Sequence, residues 1–456
     1  MFSRKNWQGI SFFTILVFAY LGMYFSYHAT PSIQEGQFLG WWKWGDQGLY
    51  LRSTKAFAEF DFSSGSHSYP PLYSLLGAIF YNISSQHPYL LINLASFFWF
   101  AYVFIAFSSQ YTSRLIAGLL FFVTVVANYT IFLQFVIPWT TTLVAAIFST
   151  GIFGLLKQKQ VEVGQGKQLG TAQLVGLSLI LGLTALTRPV DTIIAGVLWL
   201  GLILRIYSLK RKASANKLNL QDFTNYILPT FFLFFGSILF LMYNKIFHGG
   251  FLSSYFKASS AVGISLPDFF EKFTSIILDS EALYLIQNQA IVDHYPWILI
   301  SILAAFYFMV VGDWALRTLL ASIFVCLVLY IPYNDLFPNG IWKYHNIHYF
   351  KWLFPYLGLF AWVFCVKIIQ GFKIDKRAAI LKLLFFMCLG SLILSVKIKL
   401  DFNENDFKHQ LFEGEVKKNL FSFNSPTEID FIDIFGVQGA YHALYLGNHR
   451  VFIDGE

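Results

Sequence analysis

The residues best placed to do chemistry sit in one polar, aromatic stretch, Trp41-Trp42-Lys43-Trp44-Gly45-Asp46. Tryptophan gathers where a membrane meets water, because its ring is amphipathic. A carboxylate held in that setting is partly desolvated. Desolvation raises its pKa and suits it to accept a proton. Asp46 is therefore a candidate general base. The residues alone also allow a solvated loop acid. Glu35, Glu59 and Asp61 share the same loop without the aromatic setting.

Cations that suit a phosphate lie elsewhere in the chain. Arg188 stands before Pro189 at the end of an apolar run, where a guanidinium offers several donors to an anion. A snorkelling interfacial arginine is the plainer reading. Asp191 is close enough in sequence to pair with it. A second cluster reads Trp342-Lys343-Tyr344-His345-Asn346-Ile347-His348-Tyr349-Phe350-Lys351. The spacing of His345, His348 and Lys351 puts all three on one face if a helix starts early. The two histidines lack an evident third metal ligand. Arg52, Lys55 and His67 accompany Asp46 in the first loop as further phosphate or acceptor contacts, of which Arg52 is the candidate for donor phosphate. Tyr50, Tyr69, Pro70 and Pro71 are expected to shape that loop rather than react.

These residues need a scaffold, and composition identifies it. Of 456 residues, 56% are hydrophobic and 12% charged, where soluble domains carry about a quarter charged. Mean hydropathy is +0.56. The chain reads as a polytopic α-helical membrane protein. The net charge of +7 reports cytoplasmic loops rather than nucleic-acid binding. Cys326, Cys365 and Cys388 all fall in apolar runs, which excludes a disulfide framework. The N-terminal apolar run follows Arg4-Lys5, and no small-residue cleavage site follows it, so it reads as an uncleaved first helix.

Apolar runs predict helices near 10–27, 89–109, 115–134, 139–156, 170–187, 191–208, 226–246, 296–311, 314–332, 349–366 and 380–397. The short run Pro71–Ile83 decides the parity. If it does not cross, Arg114, the Lys157–Lys167 loop, Lys210-Arg211-Lys212 and Lys373 to Arg377 all fall inside. The positive-inside rule selects that arrangement. It gives eleven spans, a cytoplasmic N-terminus, an outer first loop 28–88 and an outer tail 398–456. Pro71–Ile83 then lies along the outer surface as an interfacial helix, with its prolines in the first turn. Leu446-Gly447-Asn448-His449 reads as a turn between short strands of the tail. No internal repeat of the transporter kind is visible.

Asp46, Tyr50 four residues on, and then Tyr69-Pro70-Pro71-Leu72-Tyr73 form an ordered pattern. Gly182-Leu183-Thr184-Ala185-Leu186-Thr187-Arg188-Pro189 follows it. Together they resemble the GT-C superfamily of membrane glycosyltransferases, in particular bacterial relatives of protein O-mannosyltransferases and aminoarabinose transferases. The resemblance covers about residues 1–210. It implies a GT-C-type helical bundle in a bacterial inner membrane, with the site on the outer face. It implies an inverting enzyme that moves a sugar from a polyprenyl-phosphate donor to an envelope glycan, glycolipid or protein. Asp46 is then the base, and Arg188, Lys343, His345, His348, Lys351 and Arg52 hold the donor phosphate. Two departures stand out. Gln47 replaces the family's frequent Glu, and Ile137-Pro138-Trp139-Thr140 carries no second carboxylate. A divalent-metal site needs several oxygen ligands, so no metal or other cofactor is expected. The competing readings are a flippase or transporter of lipid-linked sugars and an O-antigen-ligase-like transferase. The latter uses a loop rich in Arg and His, whereas 247–295 has only His248 and His294 and no arginine.

Overall fold

A computed structural model of the chain describes residues 4–26, 33–34, 37–38, 40–213, 220–251, 263–267, 269–280, 290–336, 341–371, 442–446 and 449–453. The chain divides into two compact units, Met1–Ser395 and Val396–Glu456. The first is helical among its described residues, apart from the small hairpin Ile33–Gln34 with Gln37–Phe38. In the second, His442–Leu446 pairs antiparallel with His449–Ile453, and Leu446 faces His449 across the expected turn.

Five helices are long and apolar enough to cross a membrane, six if one bent pair is a single span. The first ten expected runs are all helical, and the eleventh, 380–397, lies outside the described residues. The bent pair corrects the expected continuous helix 115–134. Helix α5 (Arg114–Phe121) runs through a π-turn (Phe122–Val126) and then bends by 83° into α6 (Tyr129–Val136). Asn128 is the cause. Its Oδ1 accepts from the Ile131 amide at 3.2 Å, capping a new helix in place of continuing the old one. Tyr295 donates to the same oxygen at 2.8 Å and ties the break to a distant segment. A second correction concerns 170–187. Helix α8 (Thr171–Gly182) stops at Gly182, and Leu183–Thr187 continue as successive turns. Glycine is required there because a Cβ would lie 2.6 Å from the Leu233 carbonyl oxygen of the helix Leu220–His248. The two backbones cross in contact, as membrane helices do at small residues.

Two short helices position the first loop. Helix α2 (Gly45–Ala58) starts beside a 3-10 turn, Gly40–Lys43. Gly48 allows the turn to fold back, since a Cβ there would lie 2.8 Å from the Trp42 carbonyl oxygen. Helix α3 (Pro71–Tyr81) opens with Pro71 at its first position, where the missing amide costs nothing. Its 11 residues span about 16 Å at 1.5 Å each, half the hydrocarbon thickness. Leu75 and Ile79 are exposed apolar residues one turn apart along it, at 43% and 64% exposure, and Ile83 just beyond its end is 80% exposed.

Helix α7 (Thr140–Glu162) has 23 residues and separates two ends of the bundle by about 34 Å. At the Glu162 end, Arg205 pairs with Glu162 at 2.6 Å, Lys159 pairs with Asp313, and Tyr111 donates to Asp313 at 3.0 Å. Arg114 opens α5 three residues beyond Tyr111 and Lys157 lies two residues before Lys159, so both belong to this end. The Thr140 end carries the residues with candidate chemistry.

Candidate functional site

Asp46 lies in the first turn of α2 and is half-buried. A carboxylate at a helix N-terminus is stabilised by the exposed amide dipoles. Burial nevertheless pushes its carboxyl above the ordinary range, and the Tyr69 hydroxyl and the Arg188 guanidinium oppose that rise. Tyr69 donates a hydrogen bond to Asp46 Oδ1. Tyr69 is thus a direct partner of the acid and not only a shaper of the loop. Its ring meets Tyr50 edge-on at 4.7 Å, and the Tyr50 carbonyl accepts from Tyr89 at 3.0 Å and Ser74 at 3.3 Å. Pro70 and Pro71 set the start of α3, and the Leu72 amide donates to Leu186 O at 2.9 Å. That bond joins the Tyr-Pro-Pro motif to the Thr-Arg-Pro motif.

Asp61 contrasts with Asp46. The Ser63 amide, then the Ser66 and Ser63 hydroxyls, hold its carboxyl below the usual range. Glu59 is exposed and forms a loose ion pair with Lys55 at 3.8 Å. Glu35 lies outside the described residues.

Arg188 is brought to the same end. Its Nε donates to Asp191 Oδ2 at 2.9 Å, Nη2 donates to Tyr330 Oη at 3.1 Å, and Nη1 donates to Thr140 Oγ1 at 3.4 Å. Its guanidinium lies 4.9 Å from the Tyr349 ring, which stacks on Tyr330 at 4.7 Å. Tyr330 in turn donates to Asp191 Oδ1 at 2.5 Å. The arginine is therefore oriented by an acid, a hydroxyl and a ring, and part of its charge is already compensated.

The 3-10 helix Lys343–Tyr349 carries the histidines. The 3-10 helix ends at Tyr349 and the α-helix begins only at Leu353, so Lys351 lies in the turn between them and the expected three-residue helix face is not made; only the two histidines, three apart, fall within one 3-10 helix. The rings do not converge on one point. His345 stacks on Trp44 at 5.0 Å and its Nδ1 lies 3.0 Å from Gln134 Nε2. His348 stacks on Trp139 at 3.9 Å and its Nδ1 lies 3.2 Å from Thr141 Oγ1. Burial pushes His345 down to about 4. Burial, then Arg188, Lys351 and His345, push His348 well below its ordinary value. Both rings are neutral near pH 7. Among the described residues no group of three His, Cys, Asp or Glu could hold a metal ion.

Lys351 is fully buried. Its Nζ donates to Gln134 O and Thr142 Oγ1, both at 2.7 Å. Burial first, and Arg188 second, push its ammonium well below the usual lysine value. It works as a clasp between 134–142 and the 3-10 helix, which leaves it poorly placed to grip an outside anion. Lys343 opens the 3-10 helix, and its side chain lies outside the described set. Arg52 and Lys55 are exposed on the face of α2 opposite its buried residues. His67 is buried against the backbone, with Nε2 donating to Asp61 O at 2.8 Å.

Sequence reasoning missed Gln134, Tyr330 and the run Trp139–Thr142. Gln134 is buried and contacts His345, Trp139 and, through its carbonyl, Lys351. The available signal was uncharged: Gln134 and Thr140-Thr141-Thr142 flank the same turn at the ends of two apolar runs. A cavity of about 420 Å³ lies at the opposite end of α7, lined by Phe153, Lys157, Gln165 and Lys167 among others, with no carboxylate. No family model and no curated protein matches the chain.

Proposed function

We propose that the chain is an inverting, polyprenyl-phosphate-dependent glycosyltransferase of the GT-C kind. In this reading it spans a bacterial inner membrane eleven times, with the N-terminus inside and Asp46 at the outer face. Sugar moves to an envelope glycan, glycolipid or protein. Asp46 takes the proton from the acceptor hydroxyl. The freed oxygen attacks the anomeric carbon opposite the phosphate. The bond from that carbon to the phosphate oxygen breaks, and polyprenyl phosphate leaves as an anion. That leaving group needs no general acid.

One observation carries the reading: a desolvated carboxylate held by Tyr69 lies within electrostatic reach of Arg188, at a single end of the bundle. The two motifs that resemble the superfamily are hydrogen-bonded to each other there. Transporters place broken helices in matched positions of two halves. Among the described residues there is one bent pair, so the flippase reading lacks that support.

Asp46→Asn tests the proposal. Asparagine keeps the size and cannot take a proton. Transfer from a polyprenyl-phosphate sugar falls about 100-fold or more, the scale of general-base removal. Donor lipid still co-purifies, and Glu59→Gln is nearly silent. Wild-type turnover in Asp46→Asn removes the base and with it the reading.

A further inference from the structure

We infer that Gln134 fixes His345 as a neutral imidazole with its proton on Nε2, so that the site offers a phosphate oxygen an uncharged hydrogen-bond donor. The ligand in this statement rests on the glycosyltransferase reading above. The tautomer rests on the hydrogen-bond network alone.

The argument starts at Trp139. Its indole Nε1–H can only donate. It lies 3.2 Å from Gln134 Oε1, so that atom is the amide oxygen and the other is the nitrogen. The nitrogen lies 3.3 Å from Thr130 O and 3.0 Å from His345 Nδ1. A carbonyl oxygen only accepts, which confirms the amide orientation from a second side. Both amide hydrogens are then spoken for, and one points at Nδ1. Nδ1 must present its lone pair. A neutral imidazole in that position carries its proton on Nε2. An imidazolium would set N–H against N–H across 3.0 Å.

The ring is also held in place. It stacks on Trp44 at an angle of 21°. The His345 backbone has φ 58°, a left-handed conformation uncommon outside glycine. Among the described residues Nε2 has no hydrogen-bond partner, and the residue is only half-buried. A titratable neighbour is His348 on the same segment, which itself interacts with Arg188 and Lys351, and Asp46 follows the stacked Trp44 by two residues on α2. Lys351 is committed to Gln134 O and Thr142, and Arg188 to Asp191 and Tyr330. Burial, which pushes His345 down to about 4, agrees with the neutral form.

The test is the nitrogen-15 spectrum of histidine-labelled protein, with His345→Asn to identify the resonances. Asparagine tolerates the left-handed backbone and is too short to replace the ring. Wild-type His345 shows a protonated Nε2 and a bare Nδ1, unchanged throughout the neutral range. Affinity for a polyprenyl monophosphate carrying no sugar is flat with respect to His345 over that range. It falls about tenfold in His345→Asn, as for a lost hydrogen bond to a charged group. Gln134→Glu places a carboxylate against Nδ1. The proton moves to Nδ1, the ring titrates, and affinity rises as pH falls. A protonated Nδ1 in the wild type, or a ring that titrates in the neutral range, overturns the tautomer. Unchanged affinity in His345→Asn overturns the donor role. Neither outcome depends on turnover, so the Asp46 chemistry stands or falls separately. If Gln134→Glu does not fold, the wild-type spectrum still decides.

Discussion

Tyr69→Phe isolates the one hydrogen bond that reaches the candidate base. The substitution removes an oxygen and keeps the ring, so the edge-on contact with Tyr50 survives. The hydroxyl stabilises the carboxylate and not the acid, so its loss raises the Asp46 pKa. A hydrogen bond to a charged group is worth about 1.5–3 kcal/mol. At 1.36 kcal/mol per decade, that corresponds to about 1–2 pH units. Asp46 is half-buried and Arg188 still acts on it, so the lower end applies, about one pH unit. The base works deprotonated. The acid limb of the rate profile therefore moves to higher pH, while the rate above that limb stays near wild type. The assay follows polyprenyl phosphate released from a polyprenyl-phosphate sugar across the limb. A difference infrared titration of the Asp46 carboxyl reads the same change without turnover. An acid limb at the wild-type pH, or below it, refutes the assignment of the Tyr69 hydroxyl to the catalytic carboxylate.

Other consequences follow from the same contacts. Arg188→Ala leaves Asp191 buried beside Tyr330 without its cation, which costs about 3–5 kcal/mol. The loss appears as a lower melting temperature in detergent, and adding Asp191→Asn recovers part of it. No recovery means the pair is not coupled. Lys351 has a folded pKa below its unfolded one, so the unfolded chain binds more protons and stability rises with pH up to the ordinary lysine range. Lys351→Met keeps the length and does not titrate, so this slope disappears. Equal slopes in the two proteins show that Lys351 is not depressed. A cysteine introduced at Lys157 reacts with an impermeant reagent from the cytoplasm only, and labelling from outside inverts the topology.

Much of the scaffold was legible because apolar runs and chain punctuation are local. Pro71 marks a helix start by its missing amide, and Leu446 to His449 marks a turn by composition. The break at Asn128 was not legible, because an asparagine within an apolar run can face a partner or cap a new helix. Tyr295, 167 residues away, helps fix the outcome. The candidate site was half legible. Asp46, Arg188, His345 and His348 do meet at one end of the bundle, but periodicity gives faces and not partners. Lys351 looked like a phosphate ligand from its charge, yet its acceptors are Gln134 and Thr142, 217 and 209 residues earlier. Arg52 looked equivalent to its neighbours in the first loop until helix phase turned it to solvent.

Burying Lys351 carries a desolvation cost that only its geometry explains. The two acceptors at 2.7 Å take up two of its N–H donors. The result is a clasp that fixes the 3-10 helix against the turn 134–142. The same turn meets His348 through Trp139 and His345 through Gln134, and Trp44 of the first loop stacks on His345. Three separate attachments therefore set the rings before any ligand arrives. Asp46 shares that frame, because Trp44 precedes it by two residues and Gln47 Nε2 donates to Pro138 O at 3.4 Å. Donors and base are thus referenced to one turn, Gln134 to Thr142. Preorganised groups of this kind need no rearrangement as charge develops during a reaction. A substitution that loosens the turn should then disturb the carboxylate and the histidines together, even though no residue of the turn carries a charge.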